Sequence, residues 1–318
     1  MKTTFFALLA AVSLHAAAVE VQGHRGARGL APENTLPAFR KALAIGVDAL
    51  ELDVAVTRDG VLVISHDASL NPDITRGPDG KFLAAPGPAI RTLTYSQLKR
   101  YDVGRLKPGT EYAKRFPDQK PVDKTRIPRL SDLFDLVKKS GNRTVRFNIE
   151  IKTSPEKPAE TIAPEDFARR LATAVRKAGL SERTTIQSFD WRGLQVVQQE
   201  FPGITTVYVS AQRKFLDNIG TFQEEGRPPM PPRPSAWTAG FQYEYHGSVP
   251  KMVKAAGGTI WSPYHGDLDE VNLKEAHDLG LRVIAWTVND PKQVERLLAL
   301  GVDGIISDRP DLVRSLAK

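Results

Sequence analysis

Along the chain, short runs of β-branched and apolar residues alternate with stretches whose apolar positions recur every three or four residues. The first pattern predicts strands at residues 19–23, 49–53, 146–152, 184–189, 205–210, 259–264, 282–288 and 304–308. The second predicts a helix after nearly every strand. Examples are Phe167, Leu171 and Val175 with Ala178, and Val294, Leu297 and Leu298 ahead of a stop at Gly301. These faces are core and carry no chemistry. Eight successive βα units predict an α/β fold, a TIM (β/α)8 barrel. Residues 68–128 and 216–245 break the alternation. Both are rich in Gly and Pro and are bounded by barrel elements, so they are insertions within one domain spanning residues 19–318.

The first insertion follows a predicted β-hairpin. The strand ending at Asp53 continues as Val54-Ala55-Val56-Thr57, turns at Arg58-Asp59-Gly60 and returns through Ile64 to His66. A two-residue turn at Arg58 and Asp59 would pair Thr57 with Gly60 and Val56 with Val61. That register sets Ile64 beside Asp53 and His66 beside Glu51. A longer loop would slip the register by about one residue and still return His66 to the same rim.

The first residues have the form of a secretory leader: Lys2, an apolar run from Phe5 to Leu14, then small residues at Ala16 and Ala18. That run is shorter than the roughly 20 residues needed to span a bilayer, and no later segment is long and apolar enough. The expected mature protein starts near Val19, is periplasmic or secreted, and has no stable membrane anchor. The chain contains no cysteine, which excludes a disulfide frame, a thiolate metal site, a nucleophilic thiol and a lipidated cysteine. The formal charge is +7, and loss of Lys2 with the leader leaves it positive. A mild basic excess suits an anionic substrate. The basic residues form no dense block and are not interleaved with aromatics, so nucleic acid is not an expected partner.

Glu51 and Asp53 are two apart on one strand, so both side chains leave the same face while Leu50, Leu52 and Val54 take the other. Glu150 and Lys152 repeat the spacing at the C-terminal end of the next barrel strand, the end where TIM barrels place their chemistry. Any one of these carboxylates could simply pair with Lys152 or Arg25. Three on adjacent strand ends instead call for a cation, because buried like charges are costly without compensation. An all-oxygen site of this kind favours one Ca²⁺ or Mg²⁺ over Zn²⁺.

His24 ends the first strand between Gly23 and Gly26, which permit a tight rim turn. With His66 it makes a pair of groups that titrate near neutral pH at one rim. Phosphodiester cleavage needs such groups twice, once to take a proton from the attacking hydroxyl and once to give one to the leaving alkoxide. Lys152 and Arg25 are candidates for holding the non-bridging phosphate oxygens. Trp286 and Phe189, near strand ends, are candidate linings for an alcohol pocket. His15, His246, His265 and His277 have no comparable company and are assigned no chemistry.

Together these residues resemble the glycerophosphodiester phosphodiesterases of the phospholipase-C-like TIM-barrel superfamily. The likeness is carried, in the family's order, by HRGARGLAPENT at 24–35, ELDV at 51–54, ISHD at 64–67, EIK at 150–152, QSF at 187–189 and WTVN at 286–289. It implies that His24 and His66 are the acid/base pair, that Glu51, Asp53 and Glu150 bind the divalent metal, and that Lys152 contacts phosphate. Arg25 and Glu33 resemble the family's supporting residues. The implied reaction is hydrolysis of a glycerophosphodiester to sn-glycerol 3-phosphate and an alcohol. A lipid-directed, phospholipase-D-like activity and a non-catalytic phosphodiester-binding barrel are the alternatives. The alcohol, the nucleophile and the oligomeric state are not legible in the sequence.

Overall fold

The structure is a computed structural model, and it describes residues 18–226 and 230–317. The expected leader, apart from Ala18, lies outside the described residues. Eleven strands are present among the described residues: β1 Glu20–Gly23, β2 Ala49–Val56, β3 Leu62–Ile64, β4 Arg146–Ile151, β5 Thr184–Ser188, β6 Thr205–Ser210, β7 Gln212–Arg213, β8 Leu216–Asp217, β9 Ile260–Pro263, β10 Arg282–Ala285 and β11 Gly304–Ser307. Eight of them close a parallel barrel in the order β1, β2, β4, β5, β6, β9, β10, β11 and back to β1. Closure sets Gly23 beside Ser307 on one flank and beside Leu50 on the other. The eight are those expected from the alternation, each with ends displaced by at most three residues.

The two faces of each strand sort as the alternation requires. Leu50, Leu52 and Val54 of β2, with Phe147, Ile149 and Ile151 of β4, are buried under the helices in one large outer core. Each such side chain contributes about 1.5–3 kcal/mol of transfer free energy. Inside the barrel the lining divides. Val207, Ile260, Ile284 and Ile306 form a small apolar cluster on one side. Gln22, Glu51, Asn148 and Gln187, all buried, form a polar group on the other.

Helix ends follow the local sequence. Thr35 caps the helix Leu36–Ile45 by accepting from the backbone N–H of Ala38, and Gly46 ends it with φ +82°. Gly301, with φ +90°, ends Pro291–Leu300 at the expected stop. Ala178 is the exposed C-cap of Pro164–Lys177 and lies outside the core face on which Phe167, Leu171 and Val175 are buried.

The β2–β3 hairpin differs from the two-residue register. Val54 pairs with Ile64, Ala55 with Val63 and Val56 with Leu62, while the backbone N–H of Thr57 donates to Val61 O at 3.0 Å. Ser65, rather than Ile64, therefore stands beside Asp53, donating its backbone N–H to Asp53 O at 3.0 Å. The loop has three residues, Arg58, Asp59 and Gly60, because Gly60 adopts φ +79° and adds one position to the returning strand. His66 still reaches the rim.

Residues 68–128 contribute no barrel strand. They fold over the hairpin, burying Leu70, Ile90, Leu98, Val103 and Ile127 against Ala55 and Val63. The short helix Glu111–Lys114 within this segment stands at the barrel mouth.

Candidate active site

The rim is built first by the turn after β1. A Cβ at Gly23 would stand 2.0 Å from Gly26 O, so only glycine allows the chain to fold back there. Arg25 at φ +51° and Gly26 at φ +87° complete the turn, and Gly26 N–H donates to Gly23 O at 3.1 Å. His24 is thereby delivered to the mouth, with its Nε2 3.9 Å from Glu51 Oε2.

His24 Nδ1 lies 2.6 Å from Asp308 Oδ1 at the end of β11. An ionised carboxylate accepts only, so Nδ1 carries the proton and Nε2 keeps its lone pair. Arg28 fixes Asp308 in turn, donating from Nε at 2.8 Å and from Nη2 at 3.0 Å. Burial, and next the Arg28 cation, push the His24 imidazole down to about 4. Burial opposes ionisation of Asp308, but Arg28 and His24 outweigh it and hold the carboxyl below its usual range. His66 repeats the arrangement, with Nδ1 2.7 Å from Asp67 Oδ1. Burial, followed by Arg25 and Lys152, lowers its pKa as well.

Beside the imidazoles stand the three acids. Carboxylate oxygens of Glu51, Asp53 and Glu150 come within 4.8 Å of one another, all three residues buried. Glu51 accepts from Gln187 Nε2 through Oε1 and from the Arg25 backbone N–H through Oε2, each at 2.8 Å. Asp53 Oδ2 accepts from Asn34 Nδ2 at 2.9 Å and stands 3.3 Å from Arg25 Nε. Glu150 pairs with Lys152 Nζ at 2.8 Å. The pairings with Arg25 and Lys152 are thus present, yet they do not satisfy the cluster: Asp53 Oδ1, 3.8 Å from Lys152 Nζ, is buried with no hydrogen-bond partner. Burial raises Glu51 well above the carboxylate range, and Asp53 and Glu150 raise it further. A buried acceptor without a donor, among three oxygen ligands from two neighbouring strands, fits a hard divalent cation.

Arg25 also donates from Nη1 to Glu33 Oε1 at 2.8 Å. Burial opposes the Glu33 charge, but Arg25 and Arg28 outweigh it and lower its pKa. Glu33 accepts a further hydrogen bond from Tyr112 of the short insertion helix.

His24, His66, Glu51, Glu150, Arg25 and Lys152 open on one cavity of about 560 Å³. The other half of its wall is aromatic. Phe189 and Trp286 meet edge to face at 5.2 Å, Trp286 meets Tyr264 at 5.6 Å, and Tyr264 meets Phe215 at 5.3 Å. Trp286 Nε1 donates to Ser262 O at 3.0 Å, which locks the indole against the wall.

Every residue expected at the rim, namely His24, Arg25, Glu51, His66, Glu150, Lys152 and Trp286, lines this cavity, with Asp53 and Glu33 directly behind it. Asp308, Arg28, Asp67, Asn34, Tyr112 and His265 join the site without having been singled out by their sequence pattern. Asp308 directly follows the last strand and Asp67 directly follows His66, so position alone could have flagged both. His265, assigned no chemistry, belongs to the cavity wall. Tyr112 gave no signal, because it comes from the insertion.

The chain matches the model of the glycerophosphoryl diester phosphodiesterase family over residues 24–312. A glycerophosphodiester phosphodiesterase of Caldanaerobacter subterraneus subsp. tengcongensis is 26% identical over 94% of this chain and 97% of its own length. A solved structure from Silicibacter pomeroyi that carries the family name is 35% identical, with TM-score 0.81, and covers 95% of this chain and 94% of its own. An Oleispira antarctica phosphodiesterase, solved with the product sn-glycerol-3-phosphate, shares the fold at 22% identity and TM-score 0.64, covering 93% of this chain and 96% of its own.

Proposed function

We propose a reaction from one premise: the chain belongs to the glycerophosphoryl diester phosphodiesterase family and is a phosphoric diester hydrolase. It hydrolyses small glycerophosphodiesters to sn-glycerol 3-phosphate and an alcohol, with His24 and His66 as general acid and base and one divalent cation, Ca²⁺ or Mg²⁺, held by Glu51, Asp53 and Glu150. The observation that carries this reading is the convergence of two carboxylate-held imidazoles on a three-carboxylate cluster that includes a buried oxygen with no hydrogen bond.

When bound, the cation supplies Lewis-acid polarisation of a phosphate oxygen. The protein's own groups do the rest. Lys152 and Arg25 face the non-bridging oxygens and offset the negative charge held there during displacement. One imidazole takes the proton of the attacking hydroxyl through Nε2 as that oxygen bonds to phosphorus; where the attacker is the substrate's own 2-hydroxyl in place of water, a water then opens the cyclic diester to sn-glycerol 3-phosphate. As the phosphorus–oxygen bond to the alcohol breaks, the leaving oxygen takes a proton from the other imidazole. One ring enters protonated, a form that the phosphodiester's negative charge favours against the depressed pKa of the free site. Asp308 and Asp67 hold the rings with Nδ1 outward, so both Nε2 atoms face the substrate. The alcohol arm lies along the aromatic wall of Phe189 and Trp286.

The test is an assay of glycerophosphocholine and glycerophosphoethanolamine after chelation and re-addition of each ion. Release of sn-glycerol 3-phosphate with Ca²⁺ or Mg²⁺ is expected, and its absence from folded protein with both ions refutes the proposal. Turnover of lysophospholipid micelles far above that of the soluble diesters would replace it with a lipid-directed activity. No helix among the described residues is long and apolar enough to cross a membrane. Export rests on the leader alone, and N-terminal sequencing of protein recovered outside the cytoplasm should begin near Val19.

A further inference from the structure

The barrel interior holds a chain of side chains whose donor directions are fixed from one end. Glu20 lies at the start of β1, where Oε2 accepts from Arg282 Nη2 and pairs with Arg146 Nη2, each at 2.7 Å. Its other oxygen, Oε1, accepts from Gln22 Nε2 at 2.8 Å. A carboxylate can only accept, so Gln22 turns its amide nitrogen toward Glu20 and its oxygen the other way. Asn148 Nδ2 answers that oxygen at 2.9 Å and donates its second hydrogen to Gln187 Oε1, also at 2.9 Å. With its oxygen occupied, Gln187 can present only its nitrogen to Glu51 Oε1, at 2.8 Å. Glu20 is 7% exposed, Gln22 2%, Asn148 1%, Gln187 4% and Glu51 1%, so water does not compete for these bonds.

We propose that Gln187 is a positioning residue for Glu51, and that Asn148 sets its polarity, so that this amide relay tunes the affinity of the three-carboxylate site for a divalent cation. The inference rests on the reading of Glu51 as a cation ligand. Glu51 has one oxygen tied by Gln187 and the other by the Arg25 backbone, which leaves each with its remaining lone pair for the cation. Without the Gln187 donor the carboxylate can rotate about its terminal torsion, and the site must be ordered by the ion itself. A reversed Gln187 would set its oxygen against a carboxylate and repel it.

The experiment measures Ca²⁺ and Mg²⁺ binding calorimetrically on the metal-stripped mature protein and three variants. Gln187→Leu and Gln187→Met keep much of the volume and remove the donor, and one folded member of the two suffices. Asn148→Asp leaves Gln187 in place but offers it an acceptor instead of a donor. Each folded variant, judged by circular dichroism and its metal-free melt, is expected to bind the better ion at least tenfold more weakly than the parent. The glutamine variants should do so with the His24 and His66 proton resonances unmoved. Affinity within twofold of the parent, in either the glutamine variants or Asn148→Asp, overturns the proposal. Absence of binding to the parent would overturn the cation site itself, a different result from parental binding that the variants leave unchanged.

Discussion

His24 Nδ1 and Asp308 Oδ1 stand 2.6 Å apart although 284 residues separate them in the chain, because closure of the barrel lays β1 against β11. The pair fixes the tautomer of one proposed catalytic ring, and Arg28 and Asn289 fix the carboxylate from its other side. Replacing Asp308 with Asn keeps the shape but lets the side chain present either an oxygen or an N–H to the ring. The expected result is a loss of about a hundredfold in kcat for glycerophosphocholine with KM little changed, checked by steady-state kinetics at saturating metal.

The same substitution carries a signed dependence of stability on pH. The folded-state pKa of Asp308 is depressed below its unfolded value, since the charges of Arg28 and His24 outweigh burial. Its contribution is therefore fully present above the unfolded carboxylate value of about 3.9 and is lost as pH falls through the lower folded value. Asp308→Asn should cost roughly 3 kcal/mol near pH 7, because Arg28 is left buried beside a neutral partner. The gap in unfolding free energy between parent and variant should narrow steadily as pH falls from about 4 toward 2, read by denaturant melts. A gap that stays constant over that range would contradict the assignment.

His24→Ala and His66→Ala should each lower kcat by about a hundredfold or more while the protein still binds Ca²⁺ or Mg²⁺. Kinetics paired with calorimetry separates the two effects. A variant that lost the metal and the activity together would place its histidine among the ligands instead.

Chelation should abolish turnover and lower the melting temperature, since three buried carboxyl groups then crowd together with only Lys152 and Arg25 as cations beside them. Ion restored at a hundredfold excess over its Kd should add about 2.7 kcal/mol, seen as a rise of several degrees in a thermal scan. An unchanged melting temperature would argue against a resident cation.

Trp286→Leu removes the centre of the aromatic wall and its hydrogen bond to Ser262 O. For a substrate whose alcohol arm lies there, KM should rise about threefold to tenfold with kcat nearly unchanged, the signature of binding lost equally from ground and transition states. A fall in kcat at constant KM would place the indole in the chemistry.

The site divides into residues that announce themselves and residues that do not. Glu51 with Asp53, and Glu150 with Lys152, were legible because a strand repeats every two residues: two acids so spaced must share a face, and flanking leucines and isoleucines declare the other face buried. His66 was legible for a related reason, since a short hairpin returns the chain to the strand it left. Its register was not, because the choice between a two-residue and a three-residue loop turned on Gly60 adopting φ +79°.

What the sequence determined by itself, then, was periodicity and its direct consequences: eight parallel strands, their buried faces, and the end of the barrel at which the acids and imidazoles gather. Only the tertiary structure decided which distant residues meet there. Asp308 reaches His24 through ring closure, Tyr112 reaches Glu33 from an irregular insertion, and Asn148 joins Gln22 to Gln187 across the barrel interior. The reason is physical: local pattern fixes the direction of a side chain relative to its own strand, whereas a contact between strands depends on stagger and closure, which the packing of the whole barrel sets.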